Sequence, residues 1–155
     1  MPTPIQYINR IEFVDRIIKT KIEGLTHADT MKQLPFPSNC MNWNIGHILV
    51  YRDEYLGVID GVTVPDVAEF AIYGQGSEPL TDINKAMPLE TLIERLDASS
   101  EHLKTVFQSM PPEKLNEPRE TWTGKTLDDH LHFYVVVHEA YHLGQLEILR
   151  ELALA

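Results

Sequence analysis

Two histidines four residues apart, His138 and His142, stand in the stretch His138-Glu139-Ala140-Tyr141-His142-Leu143-Gly144-Gln145. On a helix a spacing of four leaves two side chains only ~40° apart, one turn above the other. Imidazoles held that way turn their ring nitrogens toward one point off the helix and can share a transition-metal ion. Gln145 follows three residues after His142 and falls on the same face, where it could orient a ligand imidazole through a hydrogen bond. The rest of that face is apolar (Leu131, Val135, Leu149), so the pair points toward a core, where unpartnered imidazoles are costly. The competing reading is a pair of surface histidines bound to nothing, and the apolar register argues against it.

A two-histidine site is short of ligands. His47 is the natural third, on a second apolar segment where Tyr51 and Glu54 follow at spacings of four and seven. Three nitrogens plus an open position is the pattern of a catalytic site, and histidine-only ligation suits zinc, nickel or iron. Taken alone, His47 reads better as a core histidine bonded to a carbonyl. Glu54 reads as an exposed helix carboxylate or, through its alignment with His47, as a general base. Tyr51 reads as pocket wall beside the ligands.

These residues need long helices to position them. Residues at helical spacing predict a first helix from Pro4 to about Gly24, with Ile5, Ile8, Ile11 (or Glu12), Asp15, Ile18 and Ile22 along its face and Phe13, Val14 and Ile17 widening it. A second runs from about Asn42 or Asn44, either able to cap it, to Ile59, before Gly61. A third runs from Pro88 to Ser109, stopped by Pro111 and Pro112, with His102 facing solvent. The fourth runs from about Leu127 to Leu152, opened by Thr126 and Asp129 in a capping-box pattern. His130 and His132 lie off the face of the His138–His142 pair. Asp60 to Lys85 is a long connection, holding Gly61, Pro65, Gly74, Gly76 and Pro79 around Phe70 and Tyr73. Pro111 to Lys125 is a second linker, with Trp122 expected to anchor it in the core. Nothing requires a strand. Four long amphipathic helices with one long crossover make an all-α four-helix bundle, a single domain over 1–155.

Composition narrows the function classes. Thirteen Lys and Arg against twenty-three Asp and Glu give a formal net charge of −10. That charge opposes a nucleic-acid backbone and an anionic membrane surface. The single cysteine, Cys40, forms no internal disulfide, which fits a reducing compartment, and it reads as a buried thiol rather than a nucleophile. No signal-peptide pattern opens the chain and no apolar run approaches the ~20 residues of a membrane helix, so the expected location is cytoplasmic.

With these residues in place, the chain resembles the DinB-like family of metalloenzymes, DNA-damage-inducible proteins that include bacillithiol- and mycothiol-dependent transferases and isomerases. Trp43-Asn44-Ile45-Gly46-His47 and His138 through Gln145 carry the resemblance, with a weaker echo in Tyr73-Gly74-Gln75-Gly76-Ser77. It implies an antiparallel four-helix bundle with a long connection between helices two and three, a frequent homodimer, and a metal triad at His47, His138 and His142. The expected function is a divalent-metal-dependent enzyme, a hydrolase or a transferase using a low-molecular-weight thiol, acting on a small-molecule substrate. The alternative is a non-catalytic metal or small-ligand binding module in a stress response, its fourth metal position closed by the protein. DNA binding, which the family name invites, is opposed by the charge. The sequence fixes neither substrate nor native metal.

Overall fold

The computed structural model describes residues 3–60 and 68–155. Gly61 and Pro65 of the long connection lie outside them. The described chain is mostly helical with one small two-stranded sheet. Helix α1 is Pro4–Ile22, α2 Met41–Asp60, α3 Leu89–Ser109, α4 Leu127–Leu131 and α5 Glu139–Leu154. A π-helical stretch, His132–His138, joins α4 to α5, so the C-terminal helix is continuous but changes pitch immediately before the site. Short 3-10 turns occupy Asp29–Met31, Ala68–Tyr73 and Pro112–Asn116. No helix among the described residues is long and apolar enough to cross a membrane.

Helix α1 starts with Pro4 at its first position, where the missing N–H costs nothing, and the chain leaves it through Gly24 at φ +78. Its buried face is Tyr7, Ile8, Ile11, Val14, Ile18 and Ile22. Ile5 and Phe13 are exposed, so the apolar stripe is narrower than the residue types alone imply. Asn42 and Asn44 do not cap α2 but sit inside its first turns, where both are buried. Asn44 Nδ2 donates to the Cys40 carbonyl at 2.9 Å and Asn42 Nδ2 to the Met87 carbonyl at 2.9 Å, the second bond tying α2 to the segment before α3. At the start of α4 the capping box forms: Thr126 Oγ1 accepts from Asp129 N at 3.1 Å, and Asp129 Oδ2 accepts from Thr126 N at 3.0 Å.

Helix α1 packs on α3 and α5, and α2 packs on the same two. The core has two halves. Ile18, Ile48, Leu96 and Leu146 belong to one, and Ile11, Tyr55, Leu103 and Val135 to the other. Between them in sequence, each long helix contributes one polar residue to a buried layer. Arg52 of α2 meets both carboxylate oxygens of Glu139 of α5, Nε to Oε1 and Nη2 to Oε2, at 2.9 Å each. Its Nη1 meets Asp15 Oδ1 of α1 at 2.8 Å and Ser100 Oγ of α3 at 2.9 Å. Such a layer fixes how the helices rotate against one another, because any other rotation would leave a buried charge unpaired.

The linker after α3 differs from the sequence expectation. Pro118–Thr121 (β1) and Gly124–Thr126 (β2) form an antiparallel hairpin. Trp122 and Thr123 form its turn, which lifts Trp122 off the core: it is 76% exposed, its ring packed edge-on against Phe133 with centroids 4.5 Å apart.

Candidate metal centre

The His47 side chain leaves α2 on a surface that is buried nearly all round. Beside it the 3-10 turn Ala68–Tyr73 lies so close to α2 that a Cβ on Gly46 would stand 2.4 Å from the Tyr73 ring. Only glycine permits that approach. The approach brings the Tyr73 carbonyl to 2.6 Å from His47 Nδ1. A carbonyl can only accept, so this nitrogen carries the proton and Nε2 is left as a free lone pair. The carbonyl-bonded core histidine and the candidate ligand are therefore one arrangement. Trp43 stacks on the same ring at 4.3 Å and is itself held by Nε1 bonds of 2.9 Å to the Ile72 carbonyl and to Ser77 Oγ.

His142 is fixed in the same sense. Its Nδ1 lies 2.8 Å from Asn44 Oδ1 and 2.7 Å from Gln145 Oε1. Asn44 has already committed its amide N–H to Cys40, so its oxygen faces the imidazole and accepts the hydrogen bond from the His142 Nδ1–H. His142 Nε2 is thereby turned inward. His138 completes the group from the end of the π-helical stretch, where five-residue spacing brings Phe133 as well as Tyr134 against its ring. Its Nε2 lies 3.3 Å from His47 Nε2 and 3.2 Å from His142 Nε2. Its Nδ1 is buried without a partner.

Burial is the main cause of low proton affinity in all three rings. His47 is lowered from the ordinary imidazole value, His142 is lowered to about 4, and His138, which also feels its two neighbours, is lowered to about 3. At neutral pH the group is three neutral imidazoles, the form that ligates metals. The donor set fits a divalent ion on two counts. Two inward lone pairs are fixed by their tautomers, and both converge on His138 Nε2 at 3.2–3.3 Å. The spacing also matches, since nitrogens ~2.0–2.1 Å from a tetrahedral zinc stand ~3.3 Å apart, and all the potential ligand atoms here lie within 4.8 Å of one another.

Above the histidines is a cavity of about 420 Å³. Tyr51 supplies part of its wall, with its ring 4.8 Å from that of His47 and 4.4 Å from that of His138, while its hydroxyl donates to Gln75 Oε1 at 3.0 Å. Tyr51 therefore touches the cluster through its ring, and Gln145 through a hydrogen bond. Glu54 is not brought in: it is exposed on α2 and does not line the cavity; burial raises the Tyr51 and Tyr134 phenols, and the Glu54 charge adds to that from a distance. Cys40 is fully buried with its thiol pushed up by desolvation, and lies outside the cavity lining. His130 is buried against Tyr134 at 4.8 Å, apart from the cluster. Sequence reading missed Asn44 and the Tyr73 carbonyl. The available signal was the Asn44-to-His47 run in one turn of helix, which reads first as a cap.

A family model described as the DinB superfamily matches residues 15–146. A search of curated proteins finds no match. Among solved structures, a conserved protein from Enterococcus faecalis is similar at 14% identity with a TM-score of 0.75, covering 99% of this chain and 98% of that one. At that identity the likeness is one of fold.

Proposed function

The chain belongs to the DinB superfamily, and from that premise we propose a metal-dependent enzyme in which His47, His138 and His142 hold one divalent ion, zinc, nickel or iron, beside a cavity for a small-molecule substrate. The superfamily is typically metal-binding. The observation that carries the reading is the convergence of three Nε2 atoms, two of them on rings whose tautomers are fixed by acceptor oxygens. When bound, such an ion supplies Lewis acidity, polarising a substrate and acidifying a water or thiol. The chain's own residues supply the rest. The Tyr73 carbonyl, Asn44 and Gln145 hold the imidazoles in orientation, and the aromatic walls exclude water.

The reaction in this reading is hydrolysis or transfer to a low-molecular-weight thiol brought in from solution. Cys40 cannot serve as that thiol, being sealed in the core. Glu54 does not serve as the base in this reading, since it lies outside the cavity lining. A non-catalytic binding module would close the ion with a fourth protein ligand. The convergent group among the described residues has three and faces the cavity, which supports the enzyme.

The same proposal includes one domain over 1–155, built as an antiparallel four-helix bundle. The order of the two core halves along the chain supports it: α1 and the α4–α5 helix pass through them in one sense, α2 and α3 in the other. It also includes a cytoplasmic homodimer that binds neither nucleic acid nor membrane. Exposed Ile5 and Phe13 on α1 and Ile148 on α5 support the dimer, and the net charge of −10 supports the exclusions. Protein purified without added metal should carry close to one divalent ion per chain by elemental analysis. A screen of that protein with and without thiols then separates transferase from hydrolase. Protein that neither carries nor takes up a divalent ion overturns the reading.

A further inference from the structure

We propose that the cavity over the three histidines takes a small carboxylate that carries a second acceptor oxygen. The carboxylate meets the ion, and the second oxygen accepts hydrogen bonds from Gln75 and Tyr141 on the wall. The proposal names a substrate class for the metal-site reading and rests on that reading for the carboxylate's anchor.

The first observation is the lack of acids around the cavity. The chain has 23 Asp and Glu, yet none of the described residues lining this cavity is one. The larger cavity between α1 and α3 shows the contrast, with Glu12, Asp15, Glu23, Asp97 and Glu101 in its lining. Glu139 follows His138 in sequence, but both of its oxygens are turned away to Arg52. Three neutral imidazoles leave the charge of a divalent ion uncancelled, and no described acid on the wall cancels it either. An anionic oxygen touching the ion gains that attraction in full, and a cationic ligand is repelled. The net charge of −10 is spread over the whole chain, and salt screens its exposed part over about 8 Å.

The second observation is the direction of the hydrogen bonds on the wall. Two chains run along it, and both end in a donor. In the first, the Tyr51 hydroxyl donates to Gln75 Oε1 at 3.0 Å. The Gln75 oxygen is thereby occupied, and its Nε2 N–H groups remain to donate. In the second, Gln145 Oε1 accepts from His142 Nδ1 at 2.7 Å, which turns Gln145 Nε2 toward the Tyr141 hydroxyl at 3.4 Å. A hydroxyl that accepts there still has its own proton to give. Ser77 is closed, since its Oγ accepts from Trp43 Nε1 and donates to the Ile72 carbonyl. Gln75 and Tyr141 are both exposed at the cavity's edge, so a ligand reaches them without burying them unpaired. A ligand with an oxygen at that level fits these donors, and an all-hydrocarbon tail does not. A cavity of about 420 Å³ is at the small end of ligand sites and suits a body of six or so carbons.

The test uses cobalt-loaded protein and three probes, hexanoate, hexanamide and 5-oxohexanoate, with binding followed by the visible spectrum of the bound cobalt. Hexanoate and hexanamide differ in the charge of the head, and hexanoate should bind at least about tenfold more tightly. Hexanoate and 5-oxohexanoate differ by one ketone oxygen, and the ketone should bind about two- to tenfold more tightly. Gln75→Glu keeps an acceptor for the Tyr51 hydroxyl but exchanges the donor for a charged acceptor, and Tyr141→Phe removes the other donor. The ketone's advantage should shrink in each variant and vanish in the double variant, while cobalt stoichiometry stays the same. Gln75→Glu should also weaken hexanoate itself by about two- to fivefold, because it sets a like charge at the cavity's edge. Equal binding of hexanoate and hexanamide, a ketone that binds no better than hexanoate, or an advantage that survives in the double variant overturns the proposal. Protein that takes up no cobalt fails the metal reading, which is seen before any probe is added, and the proposal falls with it.

Discussion

Replacing Arg52 with methionine tests how the four long helices are held in the rotation that brings the histidines together. Arg52 is 0% exposed, and its partners Glu139 and Asp15 are 1% and 8% exposed. Its two bonds to Glu139 are 2.9 Å each, the length of charge-assisted hydrogen bonds, and its ion pair with Asp15 is 2.8 Å. Methionine fills much of the same volume, so the change is chiefly one of charge: two buried carboxylates lose the guanidinium both of them face. Breaking a buried pair from one side costs ~3–5 kcal/mol, because the stranded charge cannot be resolvated without opening the fold. At roughly 2–4 °C per kcal/mol for a chain of this size, the expected fall in Tm is roughly 6–20 °C. Urea and thermal unfolding followed by far-ultraviolet circular dichroism give both quantities. Adding Glu139→Gln to Arg52→Met should recover part of the loss, since it removes one of the stranded charges. An Arg52→Met protein whose stability lies within about 1 kcal/mol of the parent would refute the layer as a determinant of helix rotation.

Three further outcomes follow from the same contacts. Asn44→Ala should lower metal affinity by roughly 10- to 100-fold with little change in fold, as for other groups that orient a ligand imidazole, and calorimetric titration beside the parent checks it. Gly46→Ala should cost ~1–3 kcal/mol and should also weaken metal binding, because the new methyl would meet the Tyr73 ring whose carbonyl holds His47. An unaffected protein would mean the 3-10 turn is not clamped there. The metal-free protein should lose stability as pH falls. His47, His138 and His142 are neutral when folded, with His142 and His138 lowered to about 4 and about 3, and in the unfolded chain they take up protons near a pKa of ~6.5. Between those values the unfolded state binds more protons, so stability falls as the pH drops below ~6.5 and goes on falling to the folded values. Urea midpoints at several pH values below neutrality measure this, and a flat profile would contradict the burial of the rings.

The parts of this molecule visible in its sequence are those set by local geometry. The one-turn spacing of His138 and His142 is helix arithmetic, and so is the position of Gln145 beside His142. The Thr126–Asp129 cap and the prolines around α3 act within a few residues of themselves. What stayed hidden depends on chain segments that meet only after folding. Asn44 reaches His142 from 98 residues away, and the Tyr73 carbonyl is a backbone atom with no side-chain signature. Arg52, Glu139, Asp15 and Ser100 each look like ordinary polar positions on separate helices, and only the packed core makes them one layer. The hairpin is concealed by its brevity, since strands of four and three residues carry too little alternation to register. The π-helical turn adds one residue to a helical period that the sequence reads as uniform, which is why Phe133 was not placed beside His138.

The central claim is that three imidazoles on two facing helices bind one divalent ion. It is tested most directly by metal content and calorimetric titration of His142→Ala beside the parent and a His102→Ala control, since His102 is exposed on α3 away from the cluster. The parent and His102→Ala should each bind one ion per chain with matching affinity, and binding should weaken at acid pH as the ligand imidazoles take up protons. His142→Ala should bind far more weakly, having lost one of three nitrogens. A His142→Ala protein that keeps one tightly bound ion per chain would contradict the account.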